Sequence, residues 1–178
     1  RSYPVSMEYA PLEEQDEDGL TLSLPEAIVQ QVERLWQKER GDVLVFLPGE
    51  GEIRDAVDAL EESGLKKAIF LPLYAQLPQE AQDKIFHPDL GLTRVILATN
   101  IAETSLTVPR IRYVIDSGLV RVKRYLHASK IDQLQIEKIS QAAAKQRAGR
   151  AGRERAGLAV RLYSEDDFNP VSYTHLRA

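Results

Sequence analysis

Four runs in this chain are apolar without a break: Val43-Leu44-Val45-Phe46-Leu47 behind Asp42, Ala68-Ile69-Phe70-Leu71, Val95-Ile96-Leu97-Ala98 and Tyr113-Val114-Ile115. A strand with one wet face alternates apolar and polar residues, because successive side chains point to opposite sides. Strands that are apolar at every position must therefore be covered on both faces, and parallel sheets are built that way. Helical periodicity lies between the runs. Ile28, Val32, Leu35 and Trp36 recur at helical spacing behind Pro25, predicting a helix over residues 24–40 that Gly41 stops. Ile53, Val57 and Leu60 mark a second helix ending near Ser63-Gly64, and Pro78 opens a third that runs to about Phe86. Doubly buried strands alternating with amphipathic helices make an α/β fold, an open parallel sheet flanked by helices.

The flanking segments complete that picture. Residues 3–9 are rich enough in aromatic and β-branched side chains for a short strand. Residues 119–125 and 131–136 flank His127-Ala128-Ser129-Lys130 and predict a hairpin. Residues 140–148 are helical in pattern, and 158–163 make a last strand. The five acids Glu13, Glu14, Asp16, Glu17 and Asp18 repel one another and predict an exposed loop. No internal repeat and no linker interrupts residues 20–168, so one open domain is expected.

With no cysteine, disulfides and thiolate chemistry are excluded. No run approaches the ~18 apolar residues of a membrane helix, and no apolar stretch behind Arg1-Ser2-Tyr3-Pro4 forms a secretory signal. A soluble, cytoplasmic protein without membrane contact is the expectation. The net charge of −4 argues weakly against a nucleic-acid partner, but it is an average over two unlike halves. Residues 1–109 carry 9 basic and 20 acidic side chains, whereas 110–161 carry 13 basic and 4 acidic ones. Such asymmetry fits either an anionic partner or a merely solvated basic face.

Ligands of open parallel sheets bind beyond the carboxyl ends of the strands. There, after Ala98, stands Thr99-Asn100-Ile101-Ala102-Glu103-Thr104-Ser105-Leu106-Thr107, in which five of nine side chains bear a hydroxyl or an amide. These groups suit phosphate oxygens; a polar turn whose hydroxyls satisfy each other is the alternative. Further on, Gln146-Arg147-Ala148-Gly149-Arg150-Ala151-Gly152-Arg153 spaces three arginines by three among small residues. Guanidinium forks grip phosphate bidentately, small neighbours allow close approach, and no acid lies nearby until Glu154. A solvated basic helix end is the alternative. Arg150 and Arg153 are expected on one side of a helical turn. Missing are a Gly-x-x-x-x-Gly-Lys-Ser/Thr loop, an Asp-Glu-x-His pair and any His constellation for a metal or a triad. The chain can reach phosphate but cannot cradle and activate a nucleotide alone.

Taken in order and at their spacing, these segments resemble the second RecA-like domain of a DEAH-box (DEAH/RHA) RNA helicase of superfamily 2, over residues 1–168. Val45-Phe46-Leu47-Pro48-Gly49 looks like motif IV, the stretch from Ala98 to Thr107 like motif V, and Gln146 to Arg153 like motif VI. Tyr113-Val114-Ile115-Asp116-Ser117-Gly118 resembles the stretch after motif V. The resemblance implies a RecA-like fold that faces a first RecA-like domain across an ATP cleft, with Mg²⁺ held mainly by that missing domain. It implies that Gln146, Arg150 and Arg153 reach the phosphates and the attacking water, the two arginines as fingers. Phe86 matches an aromatic that stacks on adenine, although a core residue at a helix end remains open for it. Ser105 matches a serine that senses the nucleotide. Thr99, Asn100 and Thr107 match contacts to the RNA backbone. The hairpin, with Arg121, Lys123, Arg124 and Lys130, resembles one that such proteins extend near the point of strand separation.

The implied activity is ATP-dependent 3′→5′ RNA unwinding by the complete protein, with this half inactive as an ATPase alone. A non-catalytic RNA-binding module and a DNA-directed superfamily 2 helicase are the alternatives. Two positions depart from the resemblance: Ala75 stands where relatives often carry glycine, and Pro109 where some carry an acid. Residues 169–178 do not continue it. From Pro170 to Ala178 they read like translated sequencing-adapter read-through, so a fragment with a foreign tail is expected.

Overall fold

Residue parity builds the architecture, and strand β2 (Asp42–Phe46) displays it, with all five residues buried. Val43, Val45 and the following Leu47 enter one core, whereas Leu44 and Phe46 enter another on the opposite side. The computed structural model describes residues 2–12, 21–75, 77–89 and 91–168; the acidic run over 13–18 and the tail lie outside the described residues.

Before β2 come β1 (Val5–Tyr9) and α1 (Leu24–Lys38); after it come α2 (Glu50–Glu62), β3 (Ala68–Leu73), α3 (Gln79–Phe86) and β4 (Thr93–Ala98). The chain continues through β5 (Ile111–Asp116), β6 (Leu119–Leu126), β7 (Ile131–Lys138), α4 (Gln141–Gly149) and β8 (Gly157–Arg161). Six strands form one sheet in the order β1-β8-β5-β2-β4-β3, with every pairing parallel. Ile28, Val32 and Leu35 of α1 and Ile53, Ala56 and Leu60 of α2 cover one face. Ile85 of α3, Ala148 of α4 and Ala151 of the 3₁₀ turn after it cover the other. The expected α/β fold, an open parallel sheet flanked by helices with a separate hairpin, is the one observed.

Helix α1 begins with a capping box. Ser23 Oγ accepts from the Glu26 N–H at 3.3 Å, while the Glu26 carboxylate accepts from the Ser23 N–H. It ends two residues short of the expected Arg40, because Glu39 turns extended and aromatic tips hold the exit. The Trp36 indole N–H donates to the Gly41 carbonyl at 2.9 Å, and the Tyr113 hydroxyl to that of Glu39 at 2.8 Å. Gly41 is not the helix stop. A Cβ there would lie 2.6 Å from Arg112 Cδ, so its role is to let Arg112 pass.

Strands β6 and β7 form a separate antiparallel ribbon, one and two residues longer than the pattern predicts. Its root is fixed at Gly118, whose carbonyl accepts the Ile139 N–H at 3.0 Å. Gly118 sits at φ +75, and a side chain there would run into the Tyr163 ring. A two-stranded ribbon is marginal alone; Arg121 ties it to Glu52 of α2 at 3.3 Å. Among the described residues no helix is long and apolar enough to cross a membrane.

Leu97 is fully buried near the carboxyl end of β4, so Leu97→Ala should cost about 2–5 kcal/mol in urea unfolding of the purified chain. Ser23→Ala, which removes only the cap of α1, should cost about 1 kcal/mol in the same measurement.

Candidate functional site

The polar segment after β4 leaves the sheet at its carboxyl end as a single 3₁₀ turn over Asn100–Ala102 and then a loop. Buried Ala102 pins it to the core, and the Leu106 N–H closes it on the Ile101 carbonyl at 3.2 Å. Thr99 is half-buried, whereas Asn100, Ser105 and Thr107 are exposed. Among the described residues, none of these four side chains has a hydrogen-bond partner within the chain. That outcome goes against a turn of mutually satisfied hydroxyls.

The arginine segment divides in a way the spacing does not reveal. Arg147 was expected to be one of three free cations; it is instead 0% exposed and fully engaged. Its Nε donates to Glu103 at 2.7 Å, Nη1 to Asp116 at 2.8 Å and Nη2 to the Leu119 carbonyl at 3.1 Å, with the guanidinium 5.0 Å from the Phe46 ring centre. The acids that neutralise it come from 44 and 31 residues away, so no local inspection finds them. Helical side chains lean back toward the helix start, which brings Arg147 from α4 to the carboxyl end of β5. Asp116 also accepts the Gly118 N–H at 2.8 Å. Burial, and after it the Asp116 charge, push the nearby Tyr163 hydroxyl up, so it stays protonated.

Beyond Arg147, helix α4 tightens into the 3₁₀ turn Arg150–Gly152, in which residues three apart eclipse. Three of the four small residues pack inward here, whereas Gly149 is exposed with open space beside it. Ala148 and Ala151 are buried, and a Cβ on Gly152 would strike the Tyr3 carbonyl. Gln146 and Arg153 are exposed, and Arg150 is half-buried. The Nε and Nη1 atoms of Arg150 are out of solvent and have no partner. Burial, and then the Arg153 charge, lower its pKa, while Glu103 works the other way. An anion brought against Arg150 would relieve this poorly compensated charge.

Phe86, the last residue of α3, is half-buried against the second core, so it packs as a core residue while keeping part of its ring open. Behind it lies a residue that the sequence reading missed. Arg94 is 1% exposed and pairs with Asp42 through Nε at 3.1 Å and Nη2 at 3.0 Å. It also donates to the carbonyls of Ile85 and, at 2.6 Å, Pro109. The available signal was a charged residue opening two of the apolar runs, Asp42 before Val43 and Arg94 before Val95.

Three of the four hairpin cations are less free than expected, while Lys130 is exposed and has no ion pair among the described residues. Arg121 pairs with Glu52, Lys123 with Asp132 and Arg124 with Glu137, at 3.3, 3.1 and 2.6 Å. Hydrogen bonding to Arg124 holds the Glu137 carboxyl below its ordinary value. These pairs are exposed and exchange readily with another anion. Arg147 thus joins the β4 loop to α4, and Arg94 joins Ile85, the residue before Phe86, to Pro109, while the hairpin cations stand apart on their own ribbon. Among the described residues no three His, Cys, Asp or Glu side chains converge as metal ligands.

The family described as the helicase conserved C-terminal domain matches residues 24–155. The ATP-dependent RNA helicase HrpA homolog of Haemophilus influenzae is 52% identical over 170 residues, covering 95% of this chain and 13% of that protein. HrpA of Escherichia coli is 49% identical over 168 residues, covering 94% of this chain and 13% of that protein. The crystal structure of the E. coli DExH-box NTPase HrpB matches with a TM-score of 0.85 at 36% identity, over 94% of this chain and 20% of that one. The chain therefore spans only a small part of the proteins that it matches.

Replacing Arg147 by Met leaves Asp116 buried without its counter-charge, at a cost of about 3–5 kcal/mol in urea unfolding. Exposed Arg153→Ala should stay within about 0.5 kcal/mol. The two variants separate the buried arginine of the segment from an exposed one.

Proposed function

We propose a function from one premise: this chain belongs to the helicase conserved C-terminal domain family, and its relatives are DEAH-box RNA helicases. Residues 1–168 are the second RecA-like half of a 3′→5′ ATP-dependent RNA helicase. In the complete protein they close on a first RecA-like domain with ATP between the two.

Arg150 carries most of the weight. Two buried guanidinium nitrogens without a partner are a costly arrangement in an isolated domain. The cost is relieved if the half-buried side chain turns outward to meet a phosphoryl group arriving across a cleft. Arg150 and Arg153 neutralise charge that develops on the transferred phosphoryl group, and exposed Gln146 orients the attacking water. ATP bound with Mg²⁺ would supply the phosphoryl group, and the ion would be held mainly by the first domain. Ser105 lies on the loop that Glu103 fastens to Arg147, so a change at the nucleotide reaches Thr99, Asn100 and Thr107 through one short segment. These three side chains hold the sugar-phosphate backbone without reading sequence, as a translocating motor requires. Phe86 offers its open ring face to the base. Arg121, Lys123 and Arg124, each at least 39% exposed, exchange their carboxylate partners for phosphates as strands part at the hairpin. Cleft closure is a hinge transition between two states that differ in nucleotide and strand contacts.

The purified chain should show no appreciable ATPase, with or without RNA. In the full-length protein, Arg150→Ala should lower RNA-stimulated hydrolysis by roughly 10³–10⁵, while nucleotide-free RNA binding in a filter assay stays near the parent value. Surviving ATPase in that variant would favour a simple RNA-binding module. Equal binding of DNA and RNA oligomers of one sequence would remove the RNA assignment.

A further inference from the structure

Helix α3 is short and poorly anchored for an element that ends on a half-buried aromatic ring. Of its eight residues only Ile85 is buried, and no side chain caps its start. The last carbonyls of any helix lack partners within it, and they carry the negative end of its dipole. Here the Ile85 carbonyl is taken by the buried guanidinium of Arg94, one residue before Phe86. The same guanidinium donates to the Pro109 carbonyl at 2.6 Å, at the end of the loop that carries Ser105 and Thr107. Asp42 holds the fork in plane, accepting from Nε and Nη2 as well as from the Arg94 backbone N–H at 2.8 Å.

An ion pair between neighbouring strands would need only the contact between Arg94 and Asp42. The remaining contacts go to two backbone oxygens outside the sheet, that of Ile85 beside Phe86 and that of Pro109, next to Val108 of the core on which the Phe86 ring packs. Lysine cannot copy this, since a single ammonium cannot serve three acceptors spread around a planar fork. We infer that Arg94 is a positioning residue for nucleotide binding: held by Asp42, it fixes the end of α3 and the Pro109 turn relative to each other, and so sets where the Phe86 ring meets the base. This rests on the proposed stacking role of Phe86.

The test uses the full-length protein with RNA in saturation, and reads steady-state ATPase together with inhibition by inorganic tripolyphosphate, which has no base to stack. Arg94→Lys should raise KM for ATP about tenfold and leave kcat within about twofold, a loss of binding rather than of chemistry. The Ki of tripolyphosphate should not move. Phe86→Ala should raise KM comparably, and the double variant should be no worse than Phe86→Ala. Should Arg94→Lys fail to fold, Asp42→Asn, which loosens the fork without removing it, is read in the same way with a smaller rise. An unchanged KM in a folded Arg94→Lys protein, a fall in kcat alone, equal weakening of tripolyphosphate, or additive effects in the double variant would each overturn the inference. If Phe86→Ala itself leaves KM unaltered, the stacking role fails and the inference falls with it. A Phe86 effect without an Arg94 effect removes the clamp alone.

Discussion

A parallel sheet covered on both faces leaves an ionised side chain two options, the strand ends or complete pairing inside. This chain uses both. Asp42 with Arg94, and Asp116 with Glu103 and Arg147, are the buried charge clusters of the sheet, one at the amino ends of β2 and β4 and one at the carboxyl end of β5. Each guanidinium also takes a backbone carbonyl from an element outside the sheet. Burying such pairs brings little net stability, because desolvation offsets attraction. What they supply is geometry, since only one arrangement of helices, loops and strands satisfies every donor.

That geometry divides the work. The carboxyl-end cluster ties the loop after β4 to helix α4 and to the root of the hairpin, three segments that are otherwise distant in sequence. The amino-end cluster ties α3 to the exit of the same loop. Between Glu103 and Pro109 the loop is held at both points, while the side chains of Ser105 and Thr107 between them have no partner among the described residues. Arg150 lies one turn beyond a fully neutralised arginine and is itself left unneutralised. Two identical side chains three residues apart thus have opposite fates, set by which acids the fold delivers.

Much of this was legible in the residues. Unbroken apolar runs demanded a doubly covered parallel sheet, and the strands after residue 40 lie within a few residues of where the pattern placed them. The hydroxyl-rich segment after Ala98 was recognisable from its composition and its place at a strand end. Other features were not legible, for identifiable reasons. Arg147 looked like a free cation because its partners are far away in sequence, and Gly41 looked like a helix stop because its true constraint is Arg112, on another strand. Lys123 and Arg124 looked open because cross-strand pairing with Asp132 and Glu137 depends on register, which the hairpin turn sets.

The sequence by itself determined the layering, through hydrophobic periodicity, and it determined the inventory of groups able to meet phosphate, through local composition. Both are properties of a window of residues, and windows are what a sequence displays. Only the tertiary structure decided which arginine is buried, which is left wanting a partner, and that Arg94 stands behind Phe86. Those outcomes depend on desolvation and on partners brought together across 9 to 52 residues. Neither quantity exists until the sheet has formed.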